Sequence, residues 1–238
     1  GDDFILAEEM GVHYAGPAPY APDYLLLEPE IQDGIEPMAH SCEQPGVQIT
    51  AAEGARVLAR SGAPYFNRTW EHFCSHQYAP LNQGESGPLS SGPLIVEHGS
   101  VIYIARPLFT EYAISAKRVH KQVIGNCLAR LLPNPRVGAN NLPSAAVVTV
   151  RRQGQDLIVH LLHYVHQRRG RVLDVIEDVL PLHGVEISIR ADCRPTEVLL
   201  VPENQPAGWS WEDGYVRLQV PVVNGYQIVQ LKNAVQPV

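Results

Sequence analysis

The sequence predicts an α/β region followed by an all-β domain of the sandwich or barrel kind, and three observations carry that prediction. Apolar residues over 115–132 recur every third or fourth position, a helix stripe set within a first half of otherwise short runs. From residue 144 the apolar period shortens to that of strands, in brief segments separated by turn signals. Twenty prolines and nineteen glycines in 238 residues interrupt the chain too often for a helical bundle. The length suffices for two ordinary domains, and 45% apolar against 18% charged residues predicts a folded chain.

Taken in order, residues 1–50 carry Pro17, Pro19, Pro22, Pro29, Pro37 and Pro45, which forbid long helices. This segment is predicted to be irregular and to wrap over a neighbouring domain. ARVLAR (55–60) reads as a short strand. PYFNRTWEHFCSHQYAPL (64–81) is dense in aromatic residues and histidines and is the least ordinary stretch of the chain. Residues 83–92 read as a Gly/Ser/Pro loop. Pro93–Val96 and Ser100–Ala105 follow as a hairpin about His98-Gly99. The 115–132 helix takes Ser115 as its cap and Val119, Val123, Cys127 and Leu131 as its stripe, with Ile124 and Leu128 alongside. Pro133 and Pro135 stop it, and 133–143 is predicted to link two domains, 1–133 and 137–238. Strands are then predicted at Ala146–Arg152, Asp156–Val165, Val185–Ala191, Glu197–Val201, Tyr215–Val220 and Gln227–Lys232. Gln153-Gly154-Gln155, Glu212-Asp213-Gly214 and Asn224-Gly225 provide turns between them.

The net charge of −7 is uneven: residues 1–60 hold eleven acidic residues against two arginines. No Lys/Arg stripe offers a phosphate-backbone footprint, so a nucleic-acid partner is not expected. No apolar run approaches the roughly 20 residues of a membrane helix. Cys42, Cys74, Cys127 and Cys193 are scattered without a C-x-x-C pair, which predicts free thiols, a reducing compartment and a cytoplasmic protein with no metal or cofactor.

PYFNRTWEHFCSHQ, GSVIYIARPLFTEY and LIVHLLHYVHQRRGRVLDVIEDVLPLHGVEISIR together resemble the C-terminal half of bacterial glycoside-hydrolase-like proteins. These are labelled α-L-fucosidases or β-galactosidase-trimerisation-domain proteins. The resemblance spans nearly the whole chain. It implies a partial flavodoxin-like domain, of the kind shared with class I glutamine amidotransferases, followed by a C-terminal β-sandwich. The family's N-terminal catalytic (β/α)8 barrel has no counterpart in this sequence, and GDDFILAEEMGVHYAG resembles the interior of the flavodoxin-like domain. With Gly1 in place of a starting Met, the chain is expected to be a portion of a longer protein. The resemblance also implies a homo-oligomer, in which the trimerisation-type domain contributes to a neighbour's sugar pocket.

Glycoside hydrolysis needs two carboxylates flanking the scissile bond. Glu71, Glu111, Glu177 and Asp178 are the candidates, and no converging pair is legible, so no catalytic residue is assigned. Cys74 with His76 suggests the amidotransferase nucleophile, but no glycine flanks Cys74 to form a sharp elbow, and a buried thiol is expected. His72 and His76 share a helix face, and His160 and His166 a strand face with His163 opposed, which makes a poor metal shell. Trp209 and Trp211, two apart on a strand, could stack a sugar ring. Arg68, Trp70, Glu71, His72 and His76 form the mixed polar-aromatic set expected to line any carbohydrate pocket. The reading is therefore a non-catalytic accessory and oligomerisation region of a glycoside-hydrolase-like protein. The alternatives are a carbohydrate-binding module built on the sandwich, or a free-standing glycosidase. The Arg168–Arg171 loop and residues 174–183 are expected to pack back on the first domain.

Overall fold

Of the prolines in residues 1–50, Pro17 ends a strand, Pro19, Pro22, Pro37 and Pro45 fall between strands and Pro29 opens a 3-10 turn, and the chain is mostly β-sheet with few helices. The computed structural model describes residues 3–64 and 85–236. It divides into two compact units, Gly1–Pro133 and Asn134–Val238.

In the first unit a short helix α1 (Ala7–Met10) leads into β1 (Val12–Pro17), β2 (Asp23–Leu27), β3 (His40–Cys42), β4 (Val47–Ala51) and β5 (Arg56–Pro64). Then come β6 (Glu85–His98), β7 (Val101–Ile104), α2 (Leu108–Ser115) and α3 (Arg118–Leu131). Strands β3-β2-β5-β6-β7 form one sheet, and β1 and β4 form a two-stranded ribbon. Every described pairing in this unit is antiparallel, so the parallel ladder of a flavodoxin-like sheet does not occur among the described residues. The core joins Leu25, Leu58, Leu94 and Ile95 of the sheet to Leu108, Val123 and Cys127 of the helices. A smaller cluster of Val12, Ile49, Val96 and Ala105 ties the ribbon to β6.

Three expectations for this unit are corrected. Residues 1–50 are not irregular: they supply four strands, and Val12, Leu25, Ile31 and Cys42 are fully buried. The loop expected over 83–92 is strand from Glu85 onward. Its ladder with β5 shifts register at four places, and such bulges admit the glycine and proline that a regular strand excludes. The single helix 115–132 is two helices. Ser115 ends α2, its hydroxyl donating to the carbonyl of Glu111, and Ala116 then takes a left-handed φ of 52° that breaks the run. Helix α3 starts after an extended Lys117 with no side-chain cap.

In the second unit, alternation decides the architecture. The strands are β8 (Val137–Asn140), β9 (Ala146–Gln153), β10 (Asp156–His163), β11 (Gln167–Arg168), β12 (Asp174–Val175) and β13 (Leu182–Arg190). They continue with β14 (Glu197–Val201), β15 (Gln205–Pro206), β16 (Trp209–Glu212), β17 (Tyr215–Val223) and β18 (Tyr226–Lys232). One sheet runs β15-β14-β18-β10-β9 and the other β16-β17-β13-β8, all antiparallel, with β11 and β12 a separate small ribbon. Leu157, Val159 and Leu161 of β10 and Val229 and Leu231 of β18 point inward. They meet Val185, Ile187 and Ile189 of β13 and Val216, Leu218 and Val220 of β17. Period-two burial on two facing sheets makes a β-sandwich. Glycines at positive φ turn the hairpins where sequence analysis placed them, at Gly154, Gly214 and Gly225. The stretch read as linker, 133–143, holds β8, an edge strand paired with β13.

Ile189 is fully buried between the sheets, whereas Val222 is more than a third exposed. Ile189→Ala is expected to lower unfolding free energy by about 2–5 kcal/mol, and Val222→Ala to change it by under about 0.5 kcal/mol. Urea denaturation followed by tryptophan emission checks both.

Candidate functional site

The five residues expected to line a sugar pocket, Arg68, Trp70, Glu71, His72 and His76, lie within 65–84, outside the described residues, as does Cys74. The described residues that flank them pair with each other: Pro64 at the end of β5 is the register partner of Glu85 at the start of β6.

Close by in the sheet lies a buried polar cluster that sequence reasoning missed. Asp23 opens β2, Ser61 lies on β5 and Arg106 follows β7, and all three are buried. The Asp23 Oδ2 atom accepts from Ser61 Oγ at 2.6 Å, from Arg106 Nε at 3.0 Å and from Arg106 Nη2. Arg106 Nη1 donates to the carbonyl oxygens of Val47 at 2.6 Å and Ala105 at 3.1 Å. One guanidinium thus joins β2, β4 and β5. Gly46 makes room for it: a Cβ there would stand 2.7 Å from Arg106 Cδ. The only sequence signal was an arginine inside the apolar run IYIARPLF.

Glu111, one of the carboxylates considered for catalysis, is buried in α2. Its Oε1 accepts from the backbone N–H groups of Glu43 at 2.8 Å and Gln44 at 2.9 Å, fixing the turn after β3. Its Oε2 lies 3.6 Å from Nδ1 of the fully buried His120, whose Nε2 donates to the Ser41 carbonyl at 3.2 Å. Lys117 Nζ closes the group with bonds to Ser41 Oγ at 3.0 Å and Glu43 Oε1 at 2.5 Å. Burial holds the His120 imidazole below its ordinary range, opposed by the Glu111 carboxylate and the bond to Ser41. Burial also pushes the Cys42 thiol up, and Cys127 to about 11, so neither is a ready thiolate nucleophile. These groups clamp β3 to α2 and α3.

Glu177 pairs with Arg169, and with Asp178 it lies on the exposed connection after β12. The histidines of β10 separate. His160 stacks on Tyr226 and bonds its hydroxyl, while buried His163 places Nδ1 3.0 Å from the Leu180 carbonyl oxygen. His166 lies beyond the strand, which ends at His163, so the shared face expected for His160 and His166 does not form. Among the described residues no three metal-ligating side chains come together. The tryptophan platform is also corrected. Trp209 and Trp211 are register partners of Leu218 and Val216, both buried, so their rings face inward at the sandwich edge and pack against its core. Arg194 lies over the Trp209 ring, 5.6 Å from its centroid.

Glycosidases are the class of protein in which this arrangement recurs. The α-L-fucosidase isoenzyme 2 from Paenibacillus thiaminolyticus is 30% identical with a TM-score of 0.81, over 94% of this chain and 33% of its own. The cold-adapted β-galactosidase from Rahnella sp. R3 has a TM-score of 0.50 at 15% identity, over 94% of this chain and 24% of its own, a likeness of fold alone. No protein-family model and no curated protein matches the sequence. The chain is similar to a part of a glycoside hydrolase, as its motifs indicated, and spans about a third of the fucosidase it matches.

Asp23→Ala would leave a buried guanidinium without its anion and is expected to cost about 3–5 kcal/mol of stability. Arg60→Ala, breaking the half-exposed 3.4 Å pair with Glu28, is expected to cost under about 1 kcal/mol by the same denaturation assay. Because folding lowers the pKa of His120, the unfolded chain takes up the proton first. Stability is therefore fullest above about pH 6.5 and declines as pH falls from there toward the lowered folded value. Urea midpoints at pH 7.5 and 5.5 should differ less in His120→Gln than in the unaltered chain.

Proposed function

We propose that this chain is the non-catalytic accessory and oligomerisation region of a glycoside-hydrolase-like protein acting on carbohydrates. The observation that carries the reading is the 0.81 TM-score at 30% identity to one third of an α-L-fucosidase. In this reading residues 1–133, whose described strands pair only antiparallel, take the place of the family's β-galactosidase-trimerisation-type domain, and the sandwich follows. A (β/α)8 barrel elsewhere in the whole protein supplies the two carboxylates, and the assembly works in the cytoplasm. In support, the polar side chains of Asp23, Arg106, Glu111 and His120 are committed to holding strands. Val172, Leu173, Ile176, Val179 and Leu180 offer exposed apolar surface within nine residues, the kind of run that a protein interface covers. No helix among the described residues is long and apolar enough to cross a membrane.

The test has two readouts on the purified chain. 4-Nitrophenyl α-L-fucoside and β-D-galactoside should not be turned over, and light scattering should give a mass above that of the 26.2 kDa monomer that falls in Leu173→Glu/Val179→Glu. Turnover that Glu71→Gln abolishes would overturn the non-catalytic assignment. A strictly monomeric chain would overturn the oligomerisation assignment.

A further inference from the structure

The outer face of the four-stranded sheet carries a groove of about 610 Å³, within the size range of small-ligand sites. Trp209 and Ser210 of edge strand β16 lie along one side and Asn140 and Asn141 along the other, with β17 and β13 crossing between. Its polar side chains have the parity opposite to the core. Arg217 and Gln219 alternate with buried Leu218 on β17, Glu186 is the partner of Gln219 on β13, and Ser210 and Ser188 flank Arg217.

These side chains divide by what they already do. Asn140 and Asn141 are committed. The first accepts from the Leu142 N–H and donates to the Gly138 carbonyl; the second accepts from the Glu186 N–H and donates to the Gly184 carbonyl. They build the wall. The side chains of Glu186 and Gln219 have no hydrogen-bond partner among the described residues, and neither does the Trp209 indole N–H. Arg217 has only a 3.4 Å pair with Glu212 in which both side chains are more than half exposed, a weak and easily opened contact. Gly208 leaves the space beside the Gln219–Glu186 row empty, since a Cβ there would meet nothing within 4 Å.

We propose that this groove is a binding subsite for a neutral saccharide. Adjacent sugar hydroxyls each donate and accept, so they pair with a row that alternates an acceptor-only carboxylate, a two-way amide and a donor-only guanidinium: Glu186, Gln219 and Arg217. Trp209, whose ring packs inward at the sandwich edge, borders the groove and adds apolar surface at its margin. Charge selects the class: the carboxylates of Glu186 and Glu212 outnumber the Arg217 guanidinium, so a phosphate or uronate gains no net attraction here. Its polar residues Glu186, Gln219, Arg217 and Ser210 have the parity opposite to Trp209 and Trp211, the platform anticipated from the sequence, and only Trp209 borders the groove. It is independent of the accessory reading, because neither turnover nor oligomer mass depends on these side chains.

Titration of the full chain with methyl α-L-fucoside, lactose, cellobiose and glucuronate, read by NMR of the tryptophan indole and glutamine side-chain amide signals, tests the proposal. At least one neutral sugar should shift the Trp209 and Gln219 signals with a millimolar Kd and outcompete glucuronate. Gln219→Ala and Arg217→Ala should each weaken it by about tenfold, and Gly208→Phe, which fills the groove while keeping every polar group, should abolish it. Amide spectra of the variants confirm that the fold is kept. Three outcomes would overturn the proposal: no neutral sugar shifting these signals at tens of millimolar, binding that survives Gly208→Phe, or tighter binding of glucuronate.

Discussion

A single guanidinium organises the first unit. Arg106 reaches Asp23 on β2, the Val47 carbonyl on β4 and the cluster around Ser61 on β5, so it joins the five-stranded sheet to the ribbon beside it. A buried arginine is tolerable only when its charge and its donors are met, and here the surrounding strands are placed so that they are met. Gly46 fits the same junction, since a Cβ at 46 would stand 2.3 Å from the Ala105 carbonyl oxygen and 2.7 Å from Arg106 Cδ. Lysine could not replace it, because a point ammonium cannot serve a carboxylate and a carbonyl on two strands in one plane.

The second unit depends on no such group. Its order comes from apolar side chains alternating on facing sheets, and its polar side chains make single ties, such as Tyr215 to the Pro135 carbonyl, Ser188 to that of Ala139 and Gln230 to Asp156, not a buried ionic junction. The two units represent two ways of defining a β-fold, one through a buried ionic junction and the other through period and volume.

This difference explains what was legible in the sequence. The long sandwich strands were readable to within a few residues, Glu197–Val201 at its predicted bounds, and the turns at Gly154, Gly214 and Gly225 fall where the turn residues placed them, whereas the short β8, β11, β12, β15 and β16 were not predicted. Alternation is a local signal. In the first unit, order comes from residues far apart in sequence, such as Asp23 with Arg106 and Glu111 with the turn at Glu43, and no window of a dozen residues contains such a pair. Short strands set between prolines therefore looked irregular, and a left-handed Ala116, with neither glycine nor proline to announce it, hid the break between α2 and α3. The parity of Trp209 and Trp211 was readable, but which parity faces the core was not, because that depends on their pairing with Leu218 and Val216. The aromatic-histidine segment drew attention by composition alone, and its residues 65–84 lie outside the described structure.

The position of β18 bears on how the sandwich assembles. It sits in the middle of its sheet, between β10 and β14, yet of the strands described it is the last to be synthesised. During translation β10 pairs with β9 while its other edge stays open for more than sixty residues, a template for pairing with other chains. Closure then waits on one long-range insertion, which makes this unit a slow folder with a high loop-closure barrier. Its most vulnerable moment comes on the ribosome, before residues 226–232 emerge, when a chaperone would find the exposed edge of β10.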